Sequence, residues 1–265
     1  MLRWWLLLGW LAPRPHWRQA CLIYVQGWAL LLTPARGGEV LRALWLQQRC
    51  GVPLAAGLAV LLAERITGLM AALILLTVGF STGAPLGLLV VSVAVLALFV
   101  LSSHKVLKSA LTRRLPPPIV IAGWRNLPQR LMRQSLLALL RLGPLLRPWP
   151  MALGIGLALV SWMLESALLY RIWHAIADSQ PSPLAAVMVR VTMGISGFVS
   201  LLPAGLGVSD GTGVGLSLLY GLPPRQAISA TLLLRALLLG YPLAVGCLAC
   251  VMLPPHRCAR RSTRV

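Results

Sequence analysis

Apolar residues in this chain come in long unbroken runs, and the interruptions of those runs carry most of the information. The runs cover roughly 17–32, 53–80, 84–101, 151–176, 184–202 and 226–253. None alternates with a period of two, which removes half-buried strands, and the longer ones keep no polar face. Helices that are apolar all round belong in lipid, where about 20 residues cross a hydrocarbon layer of about 30 Å. Two further runs, 38–50 and 206–221, fall short of that length, and each follows a break rich in Pro and Gly. The pattern predicts an all-α, polytopic helical membrane protein of about six to eight membrane segments, read as one domain over 1–265. Residues 1–12 mimic a signal peptide. Their apolar run is short and Pro13 would follow the cut, so a retained membrane or interfacial segment is expected.

The two breaks share one design. The first reads Thr33-Pro34-Ala35-Arg36-Gly37-Gly38-Glu39, the second Leu202-Pro203-Ala204-Gly205-Leu206-Gly207-Val208-Ser209-Asp210. The whole chain holds only 5 acidic residues, and two of them sit directly behind these breaks. A carboxylate near a bilayer centre costs about 2.5–3.5 kcal/mol on insertion scales. Acids kept there point to a polar site inside the membrane. Irregular backbone at membrane depth is tolerated only beside protein or a water-filled cavity. The shortness of 38–50 and 206–221 favours re-entrant hairpins over full crossings.

Basic residues set the orientation. The stretch 102–150 carries Lys105, Lys108, Arg113, Arg114, Arg125, Arg130, Arg133, Arg141 and Arg147 and no acid, so it is expected to be cytoplasmic. Within it, Pro116-Pro117-Pro118 makes a rigid connector. From Pro128 to Leu142, Arg130, Arg133, Gln134 and Arg141 share one helical face opposite leucines, the pattern of an amphipathic interfacial helix. Counting spans from this loop puts the first break on the cytoplasmic side and the second on the outer side. The basic tail 254–265 then returns to the cytoplasm. The result is two oppositely oriented broken or re-entrant hairpins, an inverted-repeat-like arrangement whose broken helices meet near the midplane.

Composition agrees. Hydrophobic residues make up 58% of the chain and charged residues 11%, with a mean hydropathy of +0.82, which excludes a soluble catalytic domain. A formal charge of +19 would suggest nucleic acid in a soluble protein. Here it reads as loops lying on anionic lipid, with no nucleic-acid partner. Ten Trp residues, several near span ends, fit an aromatic belt. Five Cys residues suggest no disulfide framework. Cys247, Cys250, His256 and Cys258 superficially resemble zinc ligands, but an apolar span and Pro254-Pro255 separate them awkwardly. No metal or cofactor is expected. No nucleophile and base stand together, so catalysis is not expected either.

The stretch 33–42, then Glu64-Arg65, then 202–211, then Leu234-Arg235 resembles the lysylphosphatidylglycerol synthase transmembrane-region family, also called flippase-like. All four blocks agree in order and spacing, over nearly the whole chain. The resemblance implies a lipid-flipping membrane region of the kind that exposes aminoacylated phosphatidylglycerol. Other members accompany glycosyltransferases or move polyisoprenoid-type lipids. Asp210 stands where the family often has Glu, and the N-terminus looks about one helix short. With no appended aminoacyl-transferase region, lipid synthesis by this chain is not expected. The implied function is a lipid translocase moving a phospholipid or lipid-linked headgroup across the bacterial cytoplasmic membrane through a polar groove. The alternative is a non-transporting partner of a glycosyltransferase or lipid-modifying enzyme.

Candidate headgroup and cavity residues follow. Arg36, Glu39 and Arg42 are spaced by three and share a helical face, while Gly37 and Gly38 let a ligand approach the backbone. The plainer reading is a salt-bridged cluster pinning a hairpin. Pro203, Gly205, Gly207 and Asp210 form the second set, with Asp210 also suited to a helix N-cap. Glu64 and Arg65 lie mid-span about 100° apart and are not expected to pair with each other. Arg235 is the expected partner of Glu64 or Asp210. Glu165, with only Arg171 as a sequence-local partner, is a further candidate for the same cavity, Arg190 is a candidate phosphate contact on the outer side, and Asp178 reads as loop.

Overall fold

A computed structural model describes residues 1–31, 33, 37–80, 127–176, 181–200 and 202–252. Among them every regular element is helical. Helix α1 (Leu2–Leu8) precedes α2 (Trp17–Gln26), which tightens into a 3₁₀ turn (Gly27–Leu30). Then come α3 (Gly37–Cys50), α4 (Leu54–Phe80), α5 (Leu127–Arg141), α6 (Pro148–Ile176) and α7 (Pro183–Val199). A 3₁₀ turn at Pro203–Gly205 leads into α8 (Val208–Leu219), followed by α9 (Pro224–Arg235). A π-turn (Ala236–Gly240) joins α9 to α10 (Tyr241–Met252).

Three helices are long and apolar enough to cross a membrane: Leu54–Gly79, Pro148–Ile176 and the joined Pro224–Met252. The shorter Pro183–Val199 is apolar too. The outer face of α6 leaves Val160, Met163 and Leu164 exposed, as expected of residues solvated by lipid. The protein is an all-α polytopic membrane protein. The apolar run 84–101, residues 102–126, the tail 254–265, Pro34, Ala35, Arg36 and Asp178 lie outside the described residues.

Local chemistry accounts for the helix ends. Ser182 caps α7 by accepting the Ala185 N–H at 3.2 Å, with Pro183 in the first turn. Helix α9 opens on Pro223 in extended backbone and Pro224 in the first turn. Helix α3 carries Glu39 in its first turn and Arg49 in its last, matching the sign of the helix dipole at each end.

Helix α4 sits centrally, packed on α3, α5, α6 and α7, while α6 and α7 pack on each other and α8 lies against α7 and α9. One core joins Trp4, Leu7, Ile23, Leu46, Val52 and Val60; the other joins Trp173, Val189, Met193, Leu222, Ala230 and Leu234. Helix α1 is therefore part of a core rather than a loose segment. Helix α5 lies against α4 through Ala138, Leu142 and Ala59, with Arg141 exposed. Helix α10 returns to the first half of the chain and packs on α2 and its 3₁₀ turn. There Gly246 permits the approach: a Cβ on it would lie 2.4 Å from the Ala29 nitrogen.

The two halves repeat. Gly27, Gly51, Pro53 and Arg65 recur at one constant offset as Gly197, Gly221, Pro223 and Arg235. Gly51 (φ +67°) and Gly221 (φ +88°) make the same left-handed turn between a short helix and a long one. Buried Val52 and Leu222 follow them in the two cores. Each break also closes through a glycine pair: a Cβ on Gly38 would lie 2.4 Å from the Gly27 carbonyl oxygen, and one on Gly205 would lie 2.7 Å from the Gly197 Cα.

Two of the apolar runs carry local irregularities. The run 17–32 is not one helix, because it tightens at Gly27. The run 226–253 is not a uniform α-helix, since the π-turn begins directly after Arg235.

Candidate functional site

The second break shows how its acid is held. Ala204 adopts φ +52°, left-handed for a residue with a Cβ, between Pro203 and Gly205 (φ +67°), with Gly207 at φ +82°. Such backbone costs about 1–2 kcal/mol at Ala and persists only where its surroundings fix it. Here Arg235 does so. Its Nη1 donates to the Ala204 carbonyl at 2.8 Å, its Nη2 to the Gly205 carbonyl at 3.2 Å, and its Nε to the Asp210 carboxylate. The second carboxylate oxygen of Asp210 accepts the Gly207 N–H at 3.0 Å. Asp210 thus sits at the third helical position of α8, reaching back to the residue before the helix, rather than at the N-cap itself. Of its two expected partners, Glu64 and Asp210, Arg235 takes Asp210.

The first break has the matching pair. Glu39, in the first turn of α3, binds Arg65 of α4, and Arg42 of the same helix stands 4.0 Å away. Arg42 is buried with its guanidinium 4.6 Å over the Tyr24 ring. Buried Gln26 ties this unit to α10, donating to the Ala249 carbonyl at 3.2 Å and accepting from Arg49 at 2.9 Å. Glu64 turns away from Arg65 and faces Arg3 of α1 at 3.4 Å. Gly37 and Gly38 open α3, and Arg36 lies outside the described residues.

A third pair joins α6 to α7. Glu165 binds Arg190, not the sequence-local Arg171. The Arg190 guanidinium lies 5.0 Å over the ring of Trp162, whose indole N–H donates to the Gly68 carbonyl at 3.1 Å. Periodicity along one helix has no means of finding a partner on another, so the pairing escapes sequence reasoning. Arg3 escaped for a simpler reason: it sits in a segment read for its apolar residues.

Two cavities border these pairs. One of about 230 Å³ is lined by Glu165, Arg190, Ala204, Ser209 and Arg235 among others. The other, about 240 Å³, is lined by Arg3, Glu64, Arg65, Trp162, Glu165 and Arg190 among others. Glu165, Arg190 and Gly194 belong to both. Of the sequence candidates, Glu64, Arg65, Glu165, Arg190 and Arg235 line a cavity. Glu39, Arg42 and Asp210 stand behind the lining arginines, and Gly38, Gly205 and Gly207 shape the breaks. Among the described residues no cluster of His, Cys, Asp and Glu is arranged to hold a metal. Arginine has a planar fork of donors, is always charged and is weakly hydrated, which suits it to bind carboxylate or phosphate inside a bundle.

Together these features define a polytopic helical membrane protein with ionisable residues around internal cavities. The chain belongs to the family described as Lysylphosphatidylglycerol synthase TM region, whose sequence model matches residues 1–246. No curated protein and no solved structure gives a significant match. Membership links the protein to lipid metabolism at a membrane.

Proposed function

We propose that the protein is a lipid translocase. It carries the headgroup of a phospholipid or lipid-linked compound through the polar cavities between its two broken helices, while the acyl chains stay in the bilayer. The setting in this reading is the bacterial cytoplasmic membrane, with the 102–150 loop and the C-terminus cytoplasmic and the breaks re-entrant from opposite sides. The observation that carries it is the lining of the two cavities. Arg3, Arg65, Arg190 and Arg235 all border them and offer cationic donors to a phosphate. Glu39, Glu64 and Asp210 offset that charge when no headgroup is present. A static ion-pair cluster needs no such space beside it.

Lipids co-purifying in mild detergent test the reading. Wild type is expected to retain an anionic or lipid-linked species, and an Arg65→Gln, Arg190→Gln double variant to lose it. Equal retention would count against the headgroup site. The second reading, a scaffold for a glycosyltransferase or lipid-modifying enzyme, rests on family members that accompany such enzymes. It predicts that the partner's activity survives in the double variant.

A further inference from the structure

The cavity-lining arginines are not equally committed. Arg235 has all three nitrogens engaged, on Asp210, Ala204 and Gly205. It latches the second break with all three nitrogens, leaving only the second N–H of Nη1 and of Nη2. Arg190 is the opposite case. Its Nη2 serves Glu165, while its Nε is buried with no hydrogen-bond partner. Nε and Nη2 form one edge of the guanidinium, the edge that grips carboxylate or phosphate with two parallel bonds. Glu165 therefore occupies half of a two-point site. An unsatisfied buried donor is costly, and this one belongs to a residue that lines both cavities.

Position and charge agree. Arg190 and Glu165 line both cavities, so the pair stands where the two meet. Trp162 under the guanidinium fixes its plane. Glu165 is held more loosely: it also accepts from the Ser161 hydroxyl, at 3.4 Å. Among the described residues the ion pairs gather Arg3, Arg42, Arg65, Arg190 and Arg235 against Glu39, Glu64, Glu165 and Asp210.

We infer that Arg190 is the phosphate-binding residue at the junction of the cavities and that Glu165 is its displaceable counter-ion. A phosphodiester-bearing amphiphile entering from either cavity takes the Nε and Nη2 edge and releases Glu165, so the pair also separates the two cavities when no ligand is bound. This rests on the translocase reading for its biological purpose, but not for the binding itself.

Calorimetric titration of the full chain in detergent tests it, with dihexyl phosphate as an anionic diester, trihexyl phosphate as its neutral analogue, and inorganic phosphate. Wild type should bind dihexyl phosphate and not trihexyl phosphate. Glu165→Gln removes the competing carboxylate and should bind about tenfold more tightly, and Arg190→Gln at least tenfold more weakly. The Arg190→Gln, Glu165→Gln double variant removes both charges together. It should stay monodisperse yet show the same loss, which guards against misfolding of the single variant. Unchanged binding in the Arg190 variants, or equal losses in Glu165→Gln and Arg190→Gln, would overturn the assignment. Inorganic phosphate binding as tightly as the diester would overturn the amphiphile as its source. Arg190-dependent binding by a protein that moves no lipid in liposomes would sink the translocase reading and uphold this one.

Discussion

Arg235 reaches back to Asp210 and, with its other two nitrogens, holds the carbonyls of Ala204 and Gly205. One side chain thereby satisfies a half-buried acid and fixes the irregular turn that precedes it. Removing Arg235 strands a largely shielded carboxylate and two carbonyls, so Arg235→Gln should destabilise the fold by about 3 kcal/mol. Arg235→Lys should recover less than half of that, because a point charge cannot reproduce the planar fork. Thermal unfolding in detergent is the readout. A variant as stable as wild type would show that the turn does not depend on the latch.

Neighbouring residues of that turn should respond in opposite directions. Gly205→Ala forces a left-handed residue and a Cβ 2.7 Å from the Gly197 Cα, and should cost about 2–4 kcal/mol. Ala204→Gly relieves a positive φ already present and should be neutral or stabilising by up to about 1 kcal/mol. Gly207→Ala meets no atom within 4 Å and should fall between them. Equal effects at all three positions would contradict the geometry.

The repeat predicts which ion-pair variants couple. Glu39→Gln and Arg65→Gln remove the two ends of one pair, and their double-mutant cycle should show a coupling of about 1–3 kcal/mol. Glu39→Gln with Arg235→Gln crosses the two halves, between residues held by different partners, and should be additive within about 0.5 kcal/mol. Strong coupling across the halves would mean that the pairs form one network rather than two repeated latches.

Much of this was legible in the sequence because lipid simplifies the code. Broken apolar runs located α4, α6, α7 and the α9–α10 span, and acids behind Pro-Ala breaks marked Glu39 and Asp210. The repeat was harder to see. It is written in Gly27/Gly197, Gly51/Gly221, Pro53/Pro223 and Arg65/Arg235, positions that turn or pair. The apolar residues between them are interchangeable in a bilayer and blur any alignment. Breaks of slightly different internal spacing added to this, since Glu39 and Asp210 fall one position out of register. The Glu165–Arg190 pair was invisible for a different reason: it joins two helices, and neither helix's periodicity names the other. The π-turn after Arg235 has no compositional signature at all, for Ala236–Gly240 reads as ordinary apolar helix.

Leaflet accessibility of a fluorescent anionic phospholipid in proteoliposomes tests the central claim most directly. Wild-type protein should bring the inner-leaflet fraction within reach of an external quencher, and empty liposomes should not. Glu39→Gln and Asp210→Asn, each reconstituted as folded protein, should slow that movement at least about tenfold, equivalent to about 1.4 kcal/mol on the barrier. Lipid movement at the wild-type rate in both variants would contradict the account.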